Sequence, residues 1–130
     1  MSHEKMTYYH QQLLKIKETF YPKDYLCRQV IQAKQYMDEH YAEKIDLPQI
    51  AREAFLSTFH FIRIFKKLYG ITPHQYLITV RIKKAKELLR TNSNITEVCY
   101  SVGFTSATSF ATLFKKISGI SPSTYQNSSH

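Results

Sequence analysis

Cationic and aromatic side chains recur in this chain at a spacing suited to gripping a polyanion, and the spacing occurs twice. Residues 61–76 read F-I-R-I-F-K-K-L-Y-G-I-T-P-H-Q-Y, and 49 residues on, 110–125 read F-A-T-L-F-K-K-I-S-G-I-S-P-S-T-Y. In each copy an apolar stripe falls at helical spacing (Phe61, Ile64, Phe65, Leu68; then Phe110, Leu113, Phe114, Ile117) and ends in Gly, then Thr/Ser-Pro. Projection at about 100° per residue puts Phe59, Ile62, Arg63 and Lys66 on the opposite side of the first helix, and Thr108, Ala111, Thr112 and Lys115 on that of the second. Outward Arg and Lys are ordinary. Phe59 and Ile62 are not, because a polar helix face seldom carries two large apolar residues. They either pack under the N-terminal arm or another helix, or meet thymine methyls and groove walls beside Arg63, and the second is the expectation.

Bond-making chemistry finds no comparable pattern, and no catalytic residue is expected. Cys27 and Cys99 are the only cysteines and neither belongs to a C-x-x-C pair, so they read as two reduced structural thiols. The histidines at 3, 10, 40, 60, 74 and 130 show neither H-x-x-x-H nor H-E-x-x-H spacing, and no metal site is expected. Walker, Gly-rich phosphate-loop and G-x-S-x-G motifs are also missing, so no cofactor is expected.

Upstream of each copy a shorter pattern repeats, Asp46-Leu47-x-x-Ile50-Ala51 against Asn94-Ile95-x-x-Val98-Cys99, at an offset of 48. The one-residue difference from 49 must lie in the turn between a short helix and the longer one. Short helix, tight turn, longer helix is the helix-turn-helix layout, whose second helix enters the DNA major groove. The spacing therefore predicts an all-α chain with two helix-turn-helix subdomains joined by a long linker helix. Its parts are an N-terminal arm at 1–24, a first subdomain at 25–72, the linker helix at 73–90, and a second subdomain and tail at 91–130.

Several finer expectations follow along the chain. Leu13, Leu14, Ile16, Lys17 and Phe20 fit a helix in the arm. Asp24 is placed to cap a core-facing helix carrying Leu26, Val30, Ala33, Met37 and Tyr41, ending near Tyr41. Asp46, Ser57, Thr72, Asn94 and either Thr105 or Ser106 are the other candidate caps, and Gly70 suits a left-handed helix end. The linker helix presents Tyr76, Leu77, Val80, Ile82, Ala85, Leu88 and Leu89 inward, with Arg81, Lys83, Lys84 and Lys86 as a solvated face, some of which could meet phosphate. A short helix from Pro122 to Gln126 closes the chain.

With 130 residues, 43% apolar content and only three Gly and four Pro, the chain can bury one ordinary core or two small ones. Its net charge of +8 is unevenly placed, since residues 52–90 hold nine Lys/Arg against Glu53 and Glu87. The positive charge follows the motif, as a polyanion partner requires. No apolar run approaches the roughly 20 residues that span a bilayer, and no signal-peptide core opens the chain, which reads as cytoplasmic.

The segments I-T-E-V-C-Y-S-V-G-F-T-S (95–106), S-F-A-T-L-F-K-K-I-S-G-I-S-P-S-T-Y (109–125), R-I-K-K-A-K-E-L-L (81–89) and L-S-T-F-H-F-I-R-I-F-K-K (56–67) closely resemble AraC/XylS-type bacterial transcription regulators. The resemblance covers about residues 25–125. It implies a seven-helix domain acting on promoters, with double-stranded DNA as partner and RNA polymerase as a second candidate. Carried over position by position, it implies base readers at Phe59, Ile62 and Arg63, and at Ala107, Thr108, Ala111 and Thr112. Ser57, Lys66, Lys67, Ser106, Lys115 and Lys116 are the expected phosphate contacts.

Thr112 stands where many relatives carry Arg, a departure that weakens the expectation of base readout by the second unit. Most relatives also carry an effector-binding and dimerisation domain, which 24 N-terminal residues cannot form. The chain is expected to be a short regulator, monomeric on DNA, or a piece of a longer one. A fusion to a DNA-repair methyl-acceptor module is not expected, because two cysteines cannot supply a zinc-bound cluster. The competing expectation is a non-catalytic interaction module that binds RNA polymerase or another regulator and has only non-specific affinity for DNA.

Overall fold

The computed structural model describes residues 24–128, and these form seven helices with no strand among them. They are α1 (Asp24–Glu39), α2 (Leu47–Glu53), α3 (Thr58–Tyr69), α4 (Pro73–Leu89), α5 (Ile95–Ser101), α6 (Ala107–Ser118) and α7 (Pro122–Ser128). The helix expected in the N-terminal arm lies outside the described residues.

Local chemistry sets most of the boundaries. Asp46 and Gln49 form a reciprocal capping box at α2, each side chain accepting the other's backbone N–H at 2.9 Å. Thr72 and Gln75 do the same at α4, with Pro73 opening the helix where a missing N–H costs nothing. Ser57 caps α3, Asn94 caps α5, and Ser106, of the two candidates, caps α6. Gly70 and Gly119 end α3 and α6 at φ 79° and 84°. Asp24 differs from expectation: it lies within the first turn of α1, where its charge meets the helix dipole, and α1 stops at Glu39, short of Tyr41. The final helix runs two residues past Gln126, to Ser128.

Two apolar cores result. The first collects Leu26, Val30, Ala33 and Met37 of α1, Ile50 and Ala51 of α2, Phe61, Ile64 and Phe65 of α3, and Leu77 of α4. The second collects Ile82, Ala85 and Leu89 of α4, Val98 and Cys99 of α5, Phe104, and Phe110 and Phe114 of α6. Leu77 and Ile82 are about 140° apart around α4, so one helix serves both cores from two faces. Leu88, expected inward, is 37% exposed because neither core reaches that side.

The repeat extends further than the motif that announced it. Val30, Ala33 and Met37 of α1 correspond to Ile82, Ala85 and Leu89 of α4 at an offset of 52, and each set faces its own core. Lys34 lies 4.9 Å from the Tyr76 ring, and its counterpart Lys86 lies 5.7 Å from the Tyr125 ring. Phe65–Tyr76 and Phe114–Tyr125 match at 5.7 and 5.6 Å. The C-terminal half of α4 is thus the first helix of the second unit, while its N-terminal half closes the first unit as α7 closes the second.

Arg81 corrects the expectation of a solvated basic face on α4. Its Nε donates to the Tyr41 carbonyl at 2.7 Å and a terminal nitrogen donates to the Glu43 carbonyl at 3.1 Å. The guanidinium carbon stands 5.9 Å from the Phe104 ring of the second unit. Burial lowers its pKa from the usual arginine value. Lys84 and Lys86 are half-buried against the Tyr41 and Tyr125 rings, which leaves Lys83 as the fully outward member of the four.

Gly103 makes the Arg81 contact possible. Its φ is +108°, and a Cβ there would stand 2.7 Å from Arg81 Nε and 2.9 Å from the Tyr41 carbonyl oxygen. Gly70, also left-handed, has nothing within 4 Å of the same added atom. Gly103→Ala should therefore destabilise by about 2–4 kcal/mol in urea unfolding, against about 1–2 kcal/mol for Gly70→Ala. Equal losses would mean that the close approach at Gly103 carries no energy.

Candidate nucleic-acid interface

Each unit builds its outward helix by anchoring the opposite side. Phe61 and Phe65 of α3 are fully buried with ring centroids 5.6 Å apart, and Phe110 and Phe114 of α6 repeat this at 5.7 Å. Rotating either helix would expose two aromatic rings, so the outward residues are fixed in direction by the inward ones.

Four residues, 54–57, separate α2 from α3, and five, 102–106, separate α5 from α6. The backbone bonds agree at the second and third of these: Phe55 N–H donates to the Arg52 carbonyl as Gly103 N–H donates to that of Tyr100, and Leu56 N–H donates to the Ala51 carbonyl as Phe104 N–H donates to that of Cys99, the last two at 3.1 Å. Ser57 then matches Ser106 as the next cap, which identifies Thr105 as the extra residue. In both turns the second residue is left-handed: Gly103, and Phe55 at φ +56°.

Phe55 is a position that sequence reasoning missed. Its ring is 75% exposed, on a backbone conformation that disfavours a bulky side chain by about 1–2 kcal/mol. The signal was available, because the 48-residue offset sets Phe55 against a glycine.

On α3, Phe59 is 78% exposed and belongs to neither core, Arg63 and Lys66 are exposed, and Ile62 is half-buried. Packing of Phe59 beneath another described helix is therefore not what holds it. On α6, Ala107, Thr108, Ala111, Thr112 and Lys115 are all exposed. Lys67 and Lys116 are exposed on the adjoining flank of each helix, and no carboxylate occurs in either helix. Ser57 and Ser106 accept the His60 and Ser109 backbone N–H groups at 3.2 Å, which leaves each hydroxyl proton available to an acceptor outside.

The two faces offer different chemistry. The first combines an arginine fork with exposed aromatic and aliphatic surface, and the second has only methyl groups and hydroxyls, with lysines at its end. Cys99 contributes nothing outward: its thiol is buried and its pKa is raised by that burial. Among the described residues no group of three or more His, Cys, Asp or Glu is placed to hold a metal, and no helix is long and apolar enough to cross a membrane.

Two capped helix-turn-helix units sharing one helix define a tandem helix-turn-helix DNA-binding domain. The family model described as "Helix-turn-helix domain" matches residues 50–128, and the chain belongs to this family, in its AraC-type form. The chain is 36% identical over 92 residues to the probable transcriptional regulator LumQ of Photobacterium leiognathi, covering 70% of this chain and 37% of LumQ. It is 38% identical over 96 residues to the bifunctional transcriptional activator/DNA repair enzyme AdaA of Bacillus subtilis, covering 73% of this chain and 46% of AdaA. The chain thus spans less than half the length of these relatives. Among solved structures it is similar to the DNA-binding domain of the global transcriptional factor AdpA in complex with a target DNA, with a TM-score of 0.73 and 32% identity. That match covers 76% of this chain and 90% of the AdpA domain.

The unequal faces predict unequal mutational effects. Arg63→Ala should relax base preference at one position by about 1–3 kcal/mol, the value of a bidentate arginine–guanine contact. Thr112→Ala should cost less and act evenly across sequences. Selection of binding sites with each variant measures both, and equal losses of preference would contradict the asymmetry.

Proposed function

We propose that this chain is a sequence-specific DNA-binding transcription regulator acting on promoters, which inserts α3 and α6 into adjacent major-groove segments. The observation that carries this reading is the pair of acid-free outward faces held by one shared helix. Phe59, Ile62 and Arg63 are the proposed base readers of the first unit, and Ala107, Thr108, Ala111 and Thr112 those of the second. Ser57, Lys66, Lys67, Ser106, Lys115 and Lys116 are the proposed phosphate contacts, with helix N-termini adding backbone donors. The relative solved with its target DNA supports the partner, and the regulators named above support the role.

In this reading the chain works where the chromosome is, in the cytoplasm, binds as a monomer, and performs no catalytic step of its own. RNA polymerase is a second proposed partner, on surfaces that α3 and α6 do not use.

The two units form a direct repeat, so the proposed site is asymmetric and needs no palindrome. Seventeen residues make α4 about 26 Å long. With the widths of the flanking helices this bridges the roughly 34 Å between major-groove faces one turn apart, helped by modest bending of the DNA. Footprinting should show two protected blocks about one turn apart. Inserting about 5 bp between them turns the second block to the far side, and affinity should drop to that of one unit. Unchanged affinity with both blocks still protected would contradict the mechanism.

A further inference from the structure

Between the two units lies an open cleft of about 640 Å³, walled by α4, the 42–45 loop, Tyr100 of α5, the 103–105 turn and the flank of α6. Its polar lining includes Lys44, His74, Arg81 and Ser109, and among the described residues that line it there is no carboxylate. Lys44 and His74 are exposed. Arg81 spends two donors on the Tyr41 and Glu43 carbonyls, which are dipoles and leave its positive charge in place beneath the cleft, while the Glu43 carboxylate pairs with His40. Apolar walls such as Phe104 and Leu113 concentrate that field toward the opening.

Position gives the cleft its meaning. Ser109 and Leu113 each follow by one residue a member of the outward face of α6, Thr108 and Thr112. At about 100° per residue they form the flank of α6 that borders the cleft. The cleft therefore lies beside the outward face of α6, with the 42–45 loop of the first unit and α4 as its other walls. A small molecule is a poorer match, because ligand pockets enclose most of the ligand surface and this cleft is open. A polymer backbone crossing it needs no enclosure.

We propose that this cleft is a third DNA contact, which seats the phosphate backbone of the duplex segment lying between the two major-groove segments that α3 and α6 occupy. Lys44 and His74 are the phosphate-facing side chains, and Arg81 supplies a fixed charge below them. None of the three belongs to either recognition helix. The inference rests on the DNA-regulator reading and adds to it a contact that senses backbone position and not base identity. Neutralising the phosphates that face the protein also lowers the cost of bending the duplex toward it, as a linker shorter than one turn requires.

The test uses two duplexes of about 30 bp, long enough for two blocks one turn apart. One is selected from a random library by the unsubstituted protein, and the other has random sequence. Binding is followed by fluorescence anisotropy across a salt series for the unsubstituted protein, Lys44→Ala with His74→Gln, and Lys44→Arg. The double variant should lose about tenfold in affinity for both duplexes, with a salt slope smaller by about one. Preference between the duplexes should be unchanged, Lys44→Arg should bind as the unsubstituted protein does, and thermal unfolding should not shift.

Unchanged affinity and slope in the double variant, with the unsubstituted protein still selecting its duplex, would overturn the cleft proposal alone. A loss confined to the selected duplex would also overturn it, since that would be a base contact. Failure of the unsubstituted protein to bind any duplex would overturn the regulator reading, and the cleft proposal with it.

Discussion

The Arg81 guanidinium, donating to the carbonyls of Tyr41 and Glu43 and lying against Phe104, is the contact on which the relation between the two units depends. A helix shared by two cores fixes their separation but leaves the turn leading into α6 free to shift against the 40–45 loop. Arg81 closes that freedom, because its donors hold the loop of the first unit while its face meets the turn of the second. Hydrogen bonds from a charged donor contribute about 1.5–3 kcal/mol each, enough to favour one arrangement over alternatives that differ by less. Tyr41 supports the same junction, since its side chain packs against both cores. The close approach then demands a residue without a Cβ at 103.

Separation and direction of α3 and α6 follow from this junction together with the buried phenylalanines. Phe61 and Phe65, and Phe110 and Phe114, set which side of each helix points away from its core. Tyr125 and Gln126 of α7 secure the far end of α4: Arg90 Nε donates to the Tyr125 hydroxyl, and the Gln126 amide donates to the Leu89 and Ser93 carbonyls. The counterpart in the first unit is Tyr76, whose hydroxyl donates to Asp38 at 2.5 Å. The tyrosine is kept in both copies while the polarity of its partner reverses.

Much of this was legible in the residue order. Period-3.6 stripes, Asp46, Ser57, Thr72 and Asn94 as caps, and Gly70 as a terminator are local signals, and the helices begin and end where they indicate. The two offsets of 49 and 48 placed an extra residue in the second turn, and Thr105 is that residue. The role of Arg81 was not legible, because its partners are backbone carbonyls about 40 positions away, and carbonyls carry no sequence signature. The second copy of α1 was hidden inside α4 for a different reason. Its counterparts, Val30 and Ile82 or Met37 and Leu89, share only apolar character, and α4 also carries the apolar residues of the first core. Phe59 and Arg63 were legible as an outward pair, whereas the burial of Ile62 depends on neighbours that a helical projection does not contain.

In the free protein, α4 and the Arg81 junction hold the two outward faces at one distance. Spin labels at Lys66→Cys and Lys115→Cys, with Cys27 and Cys99 replaced, report that distance by double electron–electron resonance in the free protein. The expected result is a single narrow distribution that broadens when Arg81→Ala is added while both units stay folded. A broad distribution in the parent protein, or a narrow one that Arg81→Ala leaves unchanged, would contradict it.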